Sequence, residues 1–591
     1  MTDTRPKQPA ALKPVRLPAS ATLALPRWGL ILLCALYILP GLFGRDPWKN
    51  MDAFNFGIMW TMAQGTLNDW FYPNIAGLPI SKFGPLTFWI GAFFIKVFGN
   101  LTDAVSAARM ATLLFFLLAA WSVWQAAYIL GRRPEAQPMR LAFGGHPEPN
   151  DYGRVLADGS LLIYLGCLGL FLLSHETSVN ALHVALIAFT LFRSASYFDR
   201  PESRNALLLG FSLGCLALTS GLVTPAALYL VLFCIALLIG TDFRRFLVHF
   251  AMALAITSLL LLSWIIVTEI VQPYGRSPVS EWLKWNLSLI DIHSLNSINF
   301  FFRKALWGFW PAWPFACWAL WAWRRQLRDL HVLLPLAFAS SFFLLAVLSF
   351  HTEEALMLAM FPPLAILAAF GLPTMKRGAI NAVDWFSVII FTMLAAVIWL
   401  CWIAAQTGWP PKIARNAFKL APGFVPELNF IAVSVALVAT VGWFVLAFWR
   451  LSRQPTVLWR AVVLSTGGIL LCWLLLATLW LPWINYNKSY VSVARQIDQS
   501  ILDKSQCVDT NAGLTQRSIF AYSGHVRFSS EFESRGCDYL LLQDTFPRNQ
   551  RPLPEEHLKG MVLLWHGHRP GDRTERFRLY QYKQHQSDAP L

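Results

Sequence analysis

Long apolar stretches separated by short basic segments dominate this chain. A helix needs about 20 consecutive apolar residues to cross the hydrocarbon core of a bilayer. Thirteen stretches approach that length: residues 28–44, 104–130, 158–174, 178–195, 204–219, 222–240, 247–269, 301–323, 331–350, 355–373, 382–404, 428–449 and 457–481. Of the 591 residues 56% are hydrophobic and 14% are charged, which excludes an ordinary soluble globule. The sequence therefore predicts an all-α polytopic membrane domain with about thirteen transmembrane helices.

Basic residues indicate how these helices are oriented. The formal net charge is +15. Lys and Arg cluster between apolar stretches, at 132–133, 193–204, 244–245, 324–325, 376–377 and 450–460. The positive-inside rule assigns these clusters to the cytoplasm, so the charge needs no nucleic-acid partner. No small-residue cleavage site follows the first apolar run, which favours an uncleaved anchor. The prediction is a multi-pass protein of the bacterial inner membrane.

Three regions follow from this pattern. Residues 1–27 form a cytoplasmic tail, residues 28–483 form the membrane domain with a first periplasmic loop at 45–103, and residues 484–591 form a periplasmic domain. In the last region apolar runs at 539–543, 561–565 and 577–583 predict strands, and 490–504 has helical periodicity. We expect a small α/β domain. Its Cys507 and Cys537 could pair in an oxidising compartment.

The first loop carries the polar chemistry of the outer face. Asp52 opens the helix-like segment DAFNFGIMWTMAQG, in which Met59 and Trp60 are available for membrane contact. A carboxylate at the water–lipid boundary is partly desolvated, which raises its pKa and suits a general base acting on an acceptor hydroxyl. The alternative role for Asp52 is a helix N-cap.

Lys82, in ISKFGPL, is a candidate for binding a lipid phosphate, and the alternative is a membrane anchor. Asp69, Trp70 and Tyr72, in NDWFYP, are candidate substrate contacts. The alternatives for these three are a turn residue and an interfacial aromatic belt. We expect Asp52 and Lys82 to meet in one outward-opening cavity at the level of the lipid headgroups.

The motifs of this loop resemble those of a known family. The order of an acidic helix, D-W-x-x-P, G-x-P, a lysine and P-L-x-x-W is similar to the first periplasmic loop of the C-type (GT-C) glycosyltransferases. That family includes protein mannosyltransferases and lipid A aminoarabinose transferases. The matching residues are Met51-Asp52-Ala53, Asn68-Asp69-Trp70 and Ser81-Lys82-Phe83-Gly84-Pro85-Leu86, with looser matches at 282–286, 300–314 and 361–367.

The resemblance implies a membrane enzyme that moves a sugar, a hexose or a pentose, from a polyprenyl-phosphate donor to a lipid A, glycan or protein acceptor, with inversion. It also implies thirteen spans and a C-terminal periplasmic α/β domain. By resemblance Asp52 activates the acceptor and Lys82 contacts the donor phosphate. The second carboxylate of the family corresponds to Glu176, or the position aligns with Asn180 instead. The alternative for Glu176 is a solvated turn beside His175.

Two departures from the family pattern affect the expected cofactor. Ala53 replaces the acidic partner of Asp52, and Ser81 replaces the acidic neighbour of Lys82. The family carboxylates at these positions could hold a divalent metal. Their replacement argues against a metal cofactor here, and against aminoarabinose as the donor sugar.

Other charged residues border the outer ends of the spans, where an ionisable group is a functional candidate. Arg276 and Arg303 could bind donor phosphate, or could pair locally with Glu269, Glu281 or Asp291. His351 and Glu353, followed by Glu354, are candidate substrate contacts, and the alternative is no substrate role.

Two other classes of protein remain as alternatives. A transporter or flippase for a lipid-linked saccharide would more often show internal repeats and charged or interrupted helices at the membrane midplane. Here the charged groups gather at the outer boundary and the sequence shows no repeat. A catalytically inactive family member stays open because the acidic partners at 53 and 81 are missing.

Overall fold

The computed structural model describes residues 14–582 except 49–50, 141–144, 272–276, 290–295, 349–353, 452–457, 502, 504–505, 530–536, 546–557, 559 and 573. The first eleven helices are α1 (Arg27–Ile38), α2 (Met51–Gln64), α3 (Leu67–Phe71), α4 (Leu86–Phe98), α5 (Ala104–Arg132), α6 (Pro149–Leu165), α7 (Leu170–Ser174), α8 (Val179–Asp199), α9 (Ser203–Ser220), α10 (Val223–Ile239) and α11 (Phe243–Val271). A two-stranded antiparallel ribbon, β1 (Asn74–Ile75) and β2 (Leu78–Pro79), lies between α3 and α4.

The remaining membrane region continues the helical pattern. Its helices are α12 (Pro278–Ser288), α13 (Asn296–Gly308), α14 (Ala312–Ala322), α15 (Leu330–Leu348), α16 (Glu354–Leu358), α17 (Phe361–Ala369), α18 (Arg377–Thr407), α19 (Pro411–Leu420), α20 (Phe430–Leu451), α21 (Arg460–Leu479) and α22 (Leu481–Lys488). Short 3₁₀ turns lie at Ala19–Thr22 and Leu372–Thr374.

The described helices confirm a multi-pass membrane protein. Eight are long and apolar enough to cross a bilayer by length and composition, and three further apolar helices, α1, α4 and α10, are shorter. The count of thirteen spans stays a prediction. Several predicted spans are divided or shortened in the structure. Residues 158–174 belong to α6 and α7, residues 301–323 to α13 and α14, and α1 ends at Ile38, before Pro40 and Gly41.

One of these divisions brings two interrupted helices into backbone contact. The N–H of Gly169, between α6 and α7, donates a 2.9 Å hydrogen bond to the carbonyl of Gly308 at the end of α13. A Cβ at Gly169 would lie 3.1 Å from the Cα of Gly308, so the approach depends on small residues. Glycines therefore lie at the break in the predicted span, where two chain segments pack closely.

A four-stranded sheet and two helices form the C-terminal domain. The helices are α23 (Val491–Ser500) and α24 (Leu514–Ser523), and the strands are β3 (Val508–Thr510), β4 (Tyr539–Thr545), β5 (Met561–Gly567) and β6 (Glu575–Tyr582). The strand order is β3-β4-β6-β5, with β3 parallel to β4 and the other pairs antiparallel. A disulfide joins Cys507 to Cys537. The predicted α/β domain is confirmed.

This domain packs on the first loop and shares a hydrophobic core with it. The core combines buried residues of α2, α4 and the start of α5 with residues of α23, α24, β4 and β6. The hydroxyl of Ser518 donates a 2.7 Å hydrogen bond to the carbonyl of Ala53. Met59 is buried, and the ring of Trp60 lies 5.7 Å from that of Tyr522. The predicted membrane contact of Met59 is therefore wrong, because that face of α2 packs against protein.

Candidate active site

Asp52 is the centre of a buried ionic cluster. Its Oδ2 accepts hydrogen bonds from Arg45 Nη2 at 2.9 Å and from the backbone N–H of Trp48 at 3.0 Å, and Arg109 Nη2 lies 3.4 Å away. Its Oδ1 accepts a 2.8 Å bond from the backbone N–H of Thr177. The carboxylate is 1% exposed. Three separate elements, namely the segment after α1, α5 and the turn before α8, thus meet at one charge.

This environment reverses the predicted pKa shift. Burial raises the pKa of the Asp52 carboxyl, but the positive charges of Arg45 and Arg109 and the two backbone donors outweigh it, so the pKa lies below its ordinary value. The prediction of a raised proton affinity is therefore wrong. The N-cap interpretation also differs from the observed contacts, since the oxygens bind the amides of Trp48 and Thr177.

Arg109 also fixes the segment that leads into α2. Its guanidinium donates to the backbone carbonyls of Leu42 at 3.1 Å and Asp46 at 3.0 Å, and to that of Arg45. Trp48 continues the connection, since its Nε1 donates a 2.8 Å bond to Asn485 at the start of the C-terminal region. The chain around Asp52 is held from both sides.

Glu176 lies on the turn that Asp52 holds. Its side chain is half-buried, and its carbonyl accepts a 3.3 Å bond from the hydroxyl of Thr112. The neighbouring His175 is buried, with Nδ1 2.6 Å from the carbonyl of Phe171 and Nε2 2.9 Å from that of Tyr37. A solvated turn is therefore the wrong description of His175, whereas Glu176 keeps partial access to solvent.

Lys82 is exposed on the loop between β2 and α4, and both of its neighbours are tied down. The Ser81 hydroxyl donates to the carboxylate of Glu281 on α12. The N–H of Gly84 donates a 3.1 Å bond to the carbonyl of Thr219, at a point where a side chain would collide with the backbone of Leu218. The carboxylate of Glu281 thus lies next to position 81, where the sequence itself has no acidic residue.

Asp52 and Lys82 do not share one environment. The carboxylate of Asp52 is enclosed by its partners, whereas Lys82 is exposed to solvent. The expectation that both side chains open into one cavity is wrong, because Arg109 and the amide of Thr177 enclose Asp52 from elements that are distant in sequence.

A small cavity of about 20 Å³, with room for about one water molecule, lies beside the Lys82 loop. It is bounded by the neighbouring ends of α8, α9 and α10, by α12 and by the start of α16. The side chains that give its wall chemical character are Phe83, Asn180, His183, Ser220, Thr224 and Trp285. Asn180 follows Thr177 by three residues, which limits the separation of their Cα atoms to about 11 Å. One short turn therefore connects the cavity wall to the Asp52 cluster.

The aromatic part of this wall is held by specific contacts. Phe83 has a φ of 67°, which is unusual for a residue with a side chain. Its ring lies edge-on to Trp285 at 5.3 Å. The next residue of α12, Asn286, accepts a 2.7 Å bond from the N–H of Leu222 and so fixes α12 to the turn before α10. A strained backbone position at such a wall is typical of binding sites.

The remaining predicted residues of the first loop have local contacts. Asp69 caps α3, where its Oδ2 accepts a 2.7 Å bond from the N–H of Thr66 and its Oδ1 a 2.8 Å bond from Asn74. These contacts agree with the alternative interpretation of Asp69 as a turn residue. The carbonyl of Trp70 accepts a 2.7 Å bond from Trp89 Nε1, and Tyr72 is half-buried after α3.

Other candidates are dispersed or lie beyond the described residues. Arg303 is exposed on α13. Arg276, Asp291, His351 and Glu353 lie outside the described residues. Glu269 accepts a hydrogen bond from the hydroxyl of Ser277. Within the described ranges, no three His, Cys, Asp or Glu side chains are grouped closely enough to hold a metal ion.

His183 and Trp285 were not predicted as site residues. The sequence contained a signal for His183, since an ionisable residue inside an apolar span is a functional candidate. Trp285 lies within WLKWN (282–286), which resembles a family landmark. Nothing in the sequence indicated that these two residues and Phe83 meet, because they belong to three separate elements.

The architecture is that of a multi-pass membrane protein in which the first loop and the C-terminal α/β domain share a core. The solved structure of ArnT from Cupriavidus metallidurans bound to undecaprenyl phosphate is similar to this chain with a TM-score of 0.64 and 14% sequence identity, over 95% of this chain and 99% of that one. The structure of the same protein in the apo state is similar with a TM-score of 0.61 and 15% sequence identity, over 94% of this chain and 98% of that one.

These similarities show that the chain has the ArnT fold over nearly its whole length. They confirm the fold that the first-loop motifs predicted. No protein-family model matches the chain, and no curated protein matches it in sequence.

Proposed function

We propose that this protein is an integral-membrane glycosyltransferase that moves a sugar from a polyprenyl-phosphate donor to an acceptor of the cell envelope. The observation that carries the proposal is the structural similarity, over 95% of the chain, to ArnT bound to undecaprenyl phosphate. The exposed lysine of the first loop, held between two fixed neighbours, supports it further.

In this proposal Lys82 binds the phosphate of the donor. Its ammonium is exposed, while Ser81 and Gly84 fix the loop on either side of it. A fixed cation stabilises the charge that grows on a departing phosphate. Arg303, which is exposed, and Arg276 remain candidates for further phosphate contacts.

The proposed reaction is a direct displacement. The oxygen of an acceptor hydroxyl forms a bond to the anomeric carbon, and the bond from that carbon to the phosphate oxygen breaks. The phosphate leaves with the electron pair, and the configuration at the carbon inverts. The hydroxyl proton passes to a carboxylate acting as general base.

We assign this base role to Glu176 and a positioning role to Asp52. The side chain of Glu176 keeps partial access to solvent, whereas the carboxylate of Asp52 is buried among cationic and amide donors. Direct proton transfer to Asp52 requires the surrounding protein to open, because this side chain is 0% exposed. Asp52 instead holds the turn that carries Glu176, through Thr177.

We further propose that the site faces the periplasm of a bacterial inner membrane. The disulfide Cys507–Cys537 lies in the domain that packs on the first loop. Disulfides persist in oxidising compartments, of which the periplasm is one. Short basic segments, which favour the cytoplasm, lie between the predicted spans.

Mass spectrometry of envelope glycolipids and glycoproteins tests this function. A deletion strain should lack one sugar modification that the parent carries, and the wild-type gene should restore it. Lys82→Met should fail to restore it and should bind undecaprenyl phosphate at least tenfold more weakly when purified. Lys96→Met, another exposed lysine of the same loop, is the matched control and should restore the modification.

Unchanged envelope glycans in the deletion strain would contradict a transferase. If purified protein binds undecaprenyl phosphate but transfers no sugar, an inactive family member or a flippase becomes the better description. Movement of the lipid-linked sugar across sealed vesicles then separates these two.

A further inference from the structure

Helix α19 carries three cations on one face, and its opposite face is packed against protein. Lys412, Arg415 and Lys419 follow one another at spacings of three and four residues, so they lie side by side along the helix. All three are exposed. Ala414 and Ala417 face the other way and are 4% and 7% exposed. The cations therefore point away from the protein.

Contacts with α18 and α22 hold the buried face of α19 in place. Ala417 shares a small apolar cluster with Ala405 near the end of α18 and with Trp483 of α22. Just after α19, the carbonyl of Pro422 accepts a 3.0 Å hydrogen bond from the hydroxyl of Tyr486, which also belongs to α22. The orientation of the cationic face is therefore fixed by the fold.

The connections of α19 place it at the surface of the bilayer. It joins α18 to α20, and both of these helices are long and apolar enough to cross a membrane. It begins four residues after Thr407, the last residue of α18, and four residues reach at most about 14 Å. A segment that links two consecutive spans returns to the bilayer at both of its ends. α19 therefore lies within reach of the lipid headgroups.

Large apolar side chains are left exposed on either side of the cations. Trp409 is 71% exposed, Leu420 is 67% exposed and Val425 is 77% exposed. A helix with Lys and Arg on one face and Trp, Phe or Leu beside them is typical of segments that lie in the membrane interface. There the apolar side chains enter the acyl layer, while the cations remain at the level of the phosphates.

The charge of this segment is not explained by membrane topology. The basic clusters that the positive-inside rule assigns to the cytoplasm lie at the other ends of the same two spans, at 376–377 and 450–460. Residues 408–429 contain three cations and one acidic residue, Glu427. Cations on this side run against the usual bias, which indicates that they have a separate role.

We propose that α19 binds the phosphate groups of anionic phospholipids at the bilayer surface, on the face that carries the C-terminal domain. This inference goes beyond the proposed transfer reaction and does not depend on it. An anionic membrane surface attracts every Lys or Arg near it, and phosphate oxygens accept strong hydrogen bonds from these cations. Through α22, whose Asn485 binds Trp48, a lipid at α19 supports the segment that leads into α2.

Thermal unfolding of purified full-length protein in a nonionic detergent tests the site, because a ligand that binds the folded state raises its stability. The probes are dioctanoyl phosphatidylglycerol, dioctanoyl phosphatidylcholine and glycerol phosphate. Wild type should bind the phosphatidylglycerol at least about 25-fold more tightly than the phosphatidylcholine. Lys412→Gln/Lys419→Gln should weaken phosphatidylglycerol binding by about 25-fold, which is about fivefold for each lysine, and leave phosphatidylcholine binding unchanged.

Arg495→Gln/Arg527→Gln is the matched control. Both arginines are exposed in the C-terminal domain, and their replacement lowers the net charge by the same amount. This variant should bind both phospholipids as wild type does. Leu420→Gln tests the apolar part of the surface. It should weaken the binding of both phospholipids by a similar factor, since the acyl layer covers Leu420 in each case.

Three results would overturn the assignment. They are a phosphatidylglycerol preference that survives Lys412→Gln/Lys419→Gln, an equal loss in the arginine control, or glycerol phosphate binding as tight as that of phosphatidylglycerol, which would indicate a site for soluble anions. The lysine variant should also keep its affinity for undecaprenyl phosphate within about twofold of wild type. Loss of that affinity would place these lysines in the donor site instead. None of these results contradicts the proposed transfer reaction.

Discussion

The backbone N–H of Thr177 donates a 2.8 Å hydrogen bond to Oδ1 of Asp52, which lies 125 positions earlier in the chain. The same carboxylate forms ion pairs with both Arg45 and Arg109. A charge in the first loop thereby fixes the turn that continues into Asn180 and His183. Substitutions at Asp52 should therefore act on stability as well as on the cavity.

Asp52→Asn should destabilise the protein by about 3–5 kcal/mol, because it leaves two buried guanidinium groups without their described counter-charge. Thermal unfolding of the purified protein in detergent measures this. Glu427→Gln is the control, since the carboxylate of Glu427 is exposed. The control should change stability by no more than about 0.5 kcal/mol. Equal melting of the two variants would contradict the buried cluster.

The difference in stability between wild type and Asp52→Asn should be constant from pH 8 to about pH 5. The pKa of Asp52 is lowered in the folded protein, and its unfolded value is about 3.9. A lowered pKa contributes stability above the unfolded pKa, and this contribution is lost as the pH falls through the folded pKa. The difference should therefore shrink only below about pH 4. Melting curves across this range check it, and a change between pH 5 and 8 would indicate a raised pKa instead.

Gly84→Ala should displace the loop that carries Lys82. The new methyl group would collide with the backbone of Leu218, which cannot move as a flexible side chain can. We expect a loss of about 1–3 kcal/mol in stability and weaker binding of undecaprenyl phosphate. In Gly442→Ala the methyl group meets nothing within 4 Å, so this variant should keep both properties. Wild-type behaviour of Gly84→Ala would show that the close approach is not required.

Cys507 and Cys537 should resist alkylation until they are reduced. The seven cysteines that are free in the structure should react in denatured, unreduced protein, and all nine should react after reduction. Intact mass measures the number of labels. Replacing both by serine should lower the stability of the C-terminal domain by about 3–4 kcal/mol, since the bond closes a loop of 30 residues. Nine labels without reductant would exclude the bond.

The sequence alone was sufficient to predict those elements of the fold whose signal lies within the element itself. The strands β4, β5 and β6 begin within two residues of their predicted positions, because apolar runs bounded by polar segments mark them. The three-residue β3 is too short to show a pattern. The sequence pattern does not predict helix α24. Its contacts with α2, such as the hydrogen bond from Ser518 to Ala53, stabilise this helix more than its own apolar periodicity does.

The site was predicted less well than the fold, for a physical reason. Proximity of Asp52 to aromatic residues suggested desolvation, and burial is present. The sign of its pKa shift depends on Arg45, on Arg109, which is 57 positions away, and on the backbone amides of Trp48 and Thr177. The distant partners, Arg109 and Thr177, leave no local pattern. His183 did leave one, as a lone histidine in an apolar span.

The core shared by α2 and the C-terminal domain has a consequence for how the protein is made. Ser518 is synthesised 465 positions after Ala53, with which it bonds. At 5–20 residues per second, the ribosome needs roughly 20 to 90 seconds to reach it. During that interval the first loop has no cover for its apolar face. A premature stop codon between residues 357 and 490 leaves the loop uncovered permanently, so such alleles should be null although every lining residue of the cavity has been translated.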